Sequence, residues 1–199
     1  MGRIKSALEI ALERTETVKS DKISIEQFET KQRGKRLANA FLEDPKKSLD
    51  EELKKTPKEQ RESLKQGIFD VLIAQINLPV IKEDEKRIEA AGRGLQTVIN
   101  NSRFTAMYRQ LVQALSQYLN EAANYDKAIR QQYAPKLRQK EEELSRRMGR
   151  EVRIDPFQDP EFIGFYNQTM NALKGNYQAV VDKAREEALR LFEEGSGIA

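Results

Sequence analysis

The chain contains no cysteine, no histidine and no tryptophan, and the first two absences remove whole classes of chemistry. Without thiols there is no disulfide, no thiolate nucleophile, no zinc-thiolate site and no cysteine-held iron-sulfur cluster. Without imidazole the commonest neutral-pH general base and metal ligand is gone. What survives is carboxylate, lysine, tyrosine, arginine and hydroxyl chemistry, together with an all-oxygen site for magnesium or calcium. The lack of cysteine fits a reducing or an oxidising compartment equally well. Long apolar runs are also missing. The longest charge-free stretch, Phe162 to Leu173, has 12 residues, short of the roughly 17 to 25 apolar residues that cross a membrane. Glu9 and Glu13 interrupt the first apolar stripe, unlike the uncharged middle of a secretory signal. The expectation is a cytoplasmic protein with no transmembrane span.

What is present suits one soluble domain. Of 199 residues 38% are hydrophobic, enough for a core, and Lys plus Arg exceed Asp plus Glu by only 35 to 32, so self-repulsion is slight. Periodicity then divides the chain into helices. Ile4, Leu8, Ala11, Leu12, Thr15 and Val18 follow a helical period, and Ser20-Asp21 predicts its end near Lys19. Ser24 and Gln27 have capping-box spacing and start a second helix whose stripe, Ile25, Phe28, Leu37, Ala38 and Phe41, is interrupted over Lys31 to Arg36. Asp44-Pro45 marks a break, and Ser48 with Glu51 starts a short piece ending near Lys55. Thr56-Pro57-Lys58-Glu59 reads as an N-cap followed by a first-turn proline. Leu64, Ile68, Leu72 and Ile76 continue that helix until Leu78-Pro79. A further helix is predicted from Lys82 to Asn100.

The second half predicts two long helices, about 103–133 and 160–194. In the first, Phe104, Tyr108, Leu111, Leu115, Tyr118, Ala122, Tyr125 and Ile129 alternate steps of four and three. Such a seam keeps one face against a partner helix, in this chain or in another subunit. Pro135 is expected to kink or end it, leaving a charged helix over Lys136 to Met148 with Gly149 as its C-cap. Glu151 to Gln158 reads as an ordered loop. The last helix opens at Asp159-Pro160 and carries an 11-residue repeat, Phe162, Leu173 and Ala184 on one line. Nothing in the pattern demands a sheet. The fold class is all-α, an elongated bundle of two long helices and shorter N-terminal ones. It comprises an N-terminal region 1–55 able to dock or swing, a bundle core 56–194, and a flexible tail 195–199.

Candidate sites are few. Ala91-Gly92-Arg93-Gly94 lacks the third glycine and the preceding strand of a dinucleotide fingerprint, so helix packing is the better account of its glycines. The acidic runs at 50–52, 83–85 and 141–143 sit among lysines and arginines as solvated helix faces do. A bundle di-iron site fails without Glu-x-x-His pairs, whereas an all-carboxylate magnesium site stays possible in principle. The tyrosines of the seam read as core. Arg146, Arg147, Arg150 and Arg153 form a candidate anion-binding cluster, weakened by Glu142 and Glu143 four positions before the first two. Beyond residue 135 the chain is slightly acidic, 11 basic against 12 acidic residues, so nucleic acid is an unfavoured partner. Gly164, Gln168, Asn171 and Gly175 line a small, polar face of the last helix. Two helical glycines cost about 1 kcal/mol each relative to alanine, so this face predicts either a closely crossing helix or a partner.

The opening Ile4-Lys5-Ser6-Ala7-Leu8-Glu9-Ile10-Ala11-Leu12-Glu13-Arg14-Thr15 resembles the start of small bacterial all-helical proteins classed as domains of unknown function. That resemblance covers one helix and implies a bacterial cytoplasmic protein with no particular activity. No catalytic residue and no cofactor is expected. The leading expectation is a non-enzymatic protein that binds another protein or itself. The alternatives are an all-oxygen metal-dependent enzyme and a binder of nucleic acid or anionic surfaces.

Overall fold

The computed structural model describes the backbone of residues 7–196 and the side chains of residues 22–195. The apolar stripe over residues 4–18 and the tail beyond Ser196 therefore lie outside the described side chains. Among the described residues six α-helices follow one another: α1 (Ala7–Glu43), α2 (Leu49–Lys55), α3 (Lys58–Ile73), α4 (Lys82–Ile99), α5 (Ser102–Met148) and α6 (Pro160–Ser196), with one 3-10 turn at Pro156–Gln158. No strand occurs among the described residues, and the protein is all-α.

Two compact units can be distinguished. The first holds α1 to α3, residues 89–104 and the end of α6 from Ala188. Here Leu64, Ile68 and Leu72 are wholly buried, as their four-residue spacing predicts; Ile76 is buried too, but in the turn after α3, which ends at Ile73 rather than at Leu78-Pro79. Phe69 stacks on Phe192 with ring centroids 4.2 Å apart. The helices α1 and α3 pack against each other through two glycines. A Cβ on Gly34 would overlap the Leu64 carbonyl oxygen and lie 3.1 Å from the Gly67 Cα, and one on Gly67 would overlap the Lys31 carbonyl oxygen. The Lys31–Asp70 ion pair, 2.9 Å, joins the same two helices.

Two sequence expectations fail here. Residues 7–43 form one helix, with no break at Ser20-Asp21 and no capping box at Ser24-Gln27. Ser and Asp inside a helix cost only about 0.7 kcal/mol or less each, while a new helix would need a new nucleus, so propagation wins. The supposed interruption, Lys31 to Arg36, contains the α3 crossing. Thr56 is likewise not the cap of α3. It closes α2, donating its backbone N–H to Leu53 and its hydroxyl to the Glu52 carbonyl at 2.7 Å, and Pro57 precedes the first residue of α3. Arg61 then reaches back to the Thr56 carbonyl at 2.8 Å. The Ser48 expectation is met: its hydroxyl oxygen accepts the Glu51 N–H at 3.2 Å.

The second unit holds residues 77–88 and 105–187, chiefly a hairpin of α5 and α6. The seam of α5 is turned inward at Tyr108, Leu111, Leu115 and Ile129, whereas Tyr125 is exposed. It meets α6 of its own chain: Tyr118 lies 5.2 Å from Tyr177 and Tyr133 lies 5.3 Å from Phe162, centroid to centroid. Tyr108, a core tyrosine as expected, donates its hydroxyl to the Ile88 carbonyl at 2.6 Å. On α6 the line Phe162, Leu173 and Ala184 is buried. Pro135 neither ends α5 nor divides it; the helix runs 47 residues through it. Proline removes the hydrogen bond to the carbonyl four residues earlier. That carbonyl belongs to Gln131, an exposed residue, so water can take the vacated place. Gly149, at φ 64°, ends the helix as predicted.

Candidate functional site

Where the hairpin turns, side chains from α5 meet the start of α6. Asp159 caps α6, its Oδ1 accepting the Glu161 N–H at 3.0 Å. Its other oxygen takes Lys140 Nζ at 2.7 Å, although the Asp159 side chain is only 3% exposed. Lys140 also reaches Glu161 at 2.6 Å, and Lys136 reaches Glu161 at 3.0 Å. The Tyr133 hydroxyl lies 3.2 Å from both carboxylates and accepts from Lys140 at 3.4 Å. Below this network are Phe162, Ile129 and the half-buried Phe165, Tyr166 and Met170.

The electrostatics oppose proton transfer. Hydrogen bonds to Asp159 and then Glu161 push the Lys140 ammonium above its ordinary value. Lys140 and then Lys136 pull the Glu161 carboxyl down to about 2. Lys140 also lowers Asp159, against the opposing effect of burial. Burial raises the Tyr133 hydroxyl. Two lysines thus face two carboxylates, and the shifts of Lys140, Asp159 and Glu161 all favour their charged forms. A general base or a nucleophilic lysine needs the reverse shift. The arrangement fastens α5 to α6 and offers no poised acid or base.

Further along the hairpin, the last turns of α5 and the loop after Gly149 enclose an open cleft of about 560 Å³, lined by Arg138, Glu141, Glu142, Ser145, Arg146, Glu151, Val152 and Arg153. Two backbone bonds hold the loop: Val152 N–H to the Ser145 hydroxyl oxygen and Ile154 N–H to Glu141, both 2.9 Å. The structure therefore divides the four-arginine cluster. Arg146 and Arg153 line the cleft, while Arg147 and Arg150 are exposed outside it. Arg138, Glu141 and Ser145 enter the site unanticipated.

The outer face of α6 is the third candidate. Gly164, Gln168, Asn171 and Gly175 are all exposed. A Cβ on either glycine would meet nothing within 4 Å among the described residues. Among the described residues no helix crosses closely there, so the packing expected of these glycines is not found. The close approaches occur instead at Gly34, Gly67 and Gly94, where a Cβ on Gly94 would lie 3.0 Å from the Phe41 ring. Among the described residues no three acidic side chains gather as a metal ion would require, and no helix is long and apolar enough to cross a membrane.

A family of unknown function, DUF6657, matches residues 50–190. The chain belongs to that family. The DUF6657 match spans α2 to most of α6, and so takes in the Lys140 network, the cleft and the outer face of α6. It leaves out residues 4–15, on which the N-terminal resemblance rests. No curated protein and no solved structure matches the chain.

Proposed function

We propose that this DUF6657 protein is a non-enzymatic interaction protein that self-associates through the outer face of α6. The supporting observation is the face itself. From Phe162 to Val181 Lys174 is the one charged side chain, in a chain that is 34% charged, and the face carries two glycines with open space above them. Each glycine costs the helix about 1 kcal/mol relative to alanine, and no contact among the described residues offsets it. Small, uncharged positions along a helix let a second helix approach closely without desolvating ions. The same reading takes the protein as bacterial and cytoplasmic.

Light scattering on the full chain tests it, with a mass at least twice 23.0 kDa expected. Gly164→Ala and Gly175→Ala separate the outcomes. In a free helix each substitution should stabilise by about 1 kcal/mol; in a close interface the added methyl should lower the assembled mass. A wild-type mass of 23.0 kDa with both variants simply more heat-stable rejects the proposal.

A further inference from the structure

We propose that Tyr118 on α5 and Tyr177 on α6 form an oxidative cross-linking site, where a one-electron oxidant driven by hydrogen peroxide joins the two rings through a carbon–carbon bond and staples the hairpin within one chain. The chain has no cysteine and no tryptophan, so tyrosine is the side chain here that gives up a single electron most readily. The rings of Tyr118 and Tyr177 stand 5.2 Å apart, centroid to centroid, with their planes at 55°, which is direct contact for two aromatic rings. Both are half-buried, so an oxidant in solution can reach them while the packing of α5 on α6 holds them together. Other tyrosines are placed differently. Tyr108 and Tyr133 are buried, and their hydroxyls serve the Ile88 carbonyl and the Lys140 network. Tyr166 meets Phe157 and Phe162, whose rings carry no hydroxyl to oxidise.

Oxidising a phenol requires a place for the proton as well as for the electron, and Glu121 supplies one. The Tyr177 hydroxyl donates to the half-buried Glu121 carboxylate, which also accepts the Gln117 side-chain amide at 2.9 Å. Burial and then the bond to Glu121 raise the Tyr177 hydroxyl above its ordinary value. Its proton therefore leaves with the electron, to a base already within hydrogen-bond reach. Each phenol loses one electron and one proton, which leaves two tyrosyl radicals. A ring carbon beside each hydroxyl-bearing carbon forms the new bond, and each of these carbons passes its hydrogen back to the oxygen, restoring both phenols. The two electrons and two protons reduce one hydrogen peroxide to two waters. The link closes a long loop of chain, so it restricts the unfolded state as a disulfide does. It lies within one chain and does not rest on the self-association face.

Treating the dilute full chain with a haem peroxidase and hydrogen peroxide gives the test. Dityrosine fluorescence is expected in protein that keeps monomer mobility on a denaturing gel, with a mass lower by two hydrogens and a proteolytic peptide pair joining Tyr118 to Tyr177. Tyr118→Phe and Tyr177→Phe should each abolish that signal while keeping the aromatic ring and the wild-type circular dichroism. Tyr125→Phe removes a more exposed tyrosine of the same seam and should leave the link in place. Glu121→Gln should slow its formation by about tenfold or more, as loss of a positioned base does. In urea the Tyr118–Tyr177 link should be lost, because only the folded hairpin brings the rings together. Monomer-sized protein without dityrosine, a link mapped to another pair, a wild-type rate in Glu121→Gln, or an undiminished yield in urea would overturn the proposal.

Discussion

A methyl group at Gly67 would occupy the space of the Lys31 carbonyl oxygen, and that oxygen belongs to a helix backbone. Backbone cannot swing aside as a side-chain end can, so α1 and α3 would have to separate and give up part of their packing. Gly67→Ala should therefore destabilise by about 1 to 3 kcal/mol, the range for overpacking, even though alanine is the better helix former. Urea denaturation checks the sign, and a gain in stability would contradict the crossing. The capping aspartate makes a second prediction. Asp159 and Glu161 have folded pKa values below their ordinary ones, Glu161 at about 2 against 4.5. Their contribution is thus present above the ordinary carboxylate range and is lost as pH falls from about 4.5 toward 2. Lys140 and Tyr133, both raised, lose theirs only as pH climbs past their ordinary 10.5 and 10.0. The urea midpoint should accordingly be steady near neutrality and fall in acid. Asp159→Asn keeps an oxygen to cap α6 and removes the charge facing Lys140, so its midpoint should lie below wild type at pH 7 and fall less on acidification. A wild-type acid profile in that variant would remove Asp159 from the latch.

At the scale of helices, much was legible because the signals are local. Ser48 as a cap, Gly149 as a left-handed terminus and Asp159-Pro160 as an opening each depend on a few neighbouring residues. The 11-residue line on α6 and most of the α5 seam follow from the helical period. The misses are of two kinds. At Ser20-Asp21 and Pro135 a breaking signal was present, but its cost was too small or was relieved by solvent. At Gly34–Gly67, at Lys140–Asp159 and around the cleft, the partners come from different helices, and no spacing rule announces them. Arg138 looked like any surface charge until the loop folded back beside it. Pro135 offers a quantitative check on the first kind. Pro135→Ala restores a backbone hydrogen bond to Gln131 in a helix that is already formed, and the proline penalty of about 3 kcal/mol is an upper limit because Gln131 is wet. A gain of about 1 to 2 kcal/mol is expected from chemical denaturation; a loss would mean that the helix depends on the distortion the ring imposes.

For the molecule as a whole, α4, α5 and α6 each contribute residues to both compact units without interruption. Separate unfolding of one unit would fray three helices at internal positions, stranding carbonyl and N–H groups that the continuous helices satisfy. One cooperative transition is the physical expectation. The sequence supplies an unusual reporter for it. There is no tryptophan, and Tyr108, Tyr118, Tyr125, Tyr133, Tyr166 and Tyr177 all lie within residues 105–187 of the second unit. Tyrosine fluorescence therefore reads that unit, while far-ultraviolet circular dichroism reads both. Phe69 sits in the first unit, 2% exposed and stacked on Phe192, and Phe69→Ala should cost about 3 to 5 kcal/mol. If the continuous helices couple the units, the substitution lowers the tyrosine midpoint together with the dichroism midpoint. A tyrosine transition left at its wild-type position, beside a dichroism curve split into two steps, would show that a helix shared between two cores transmits too little free energy to join them.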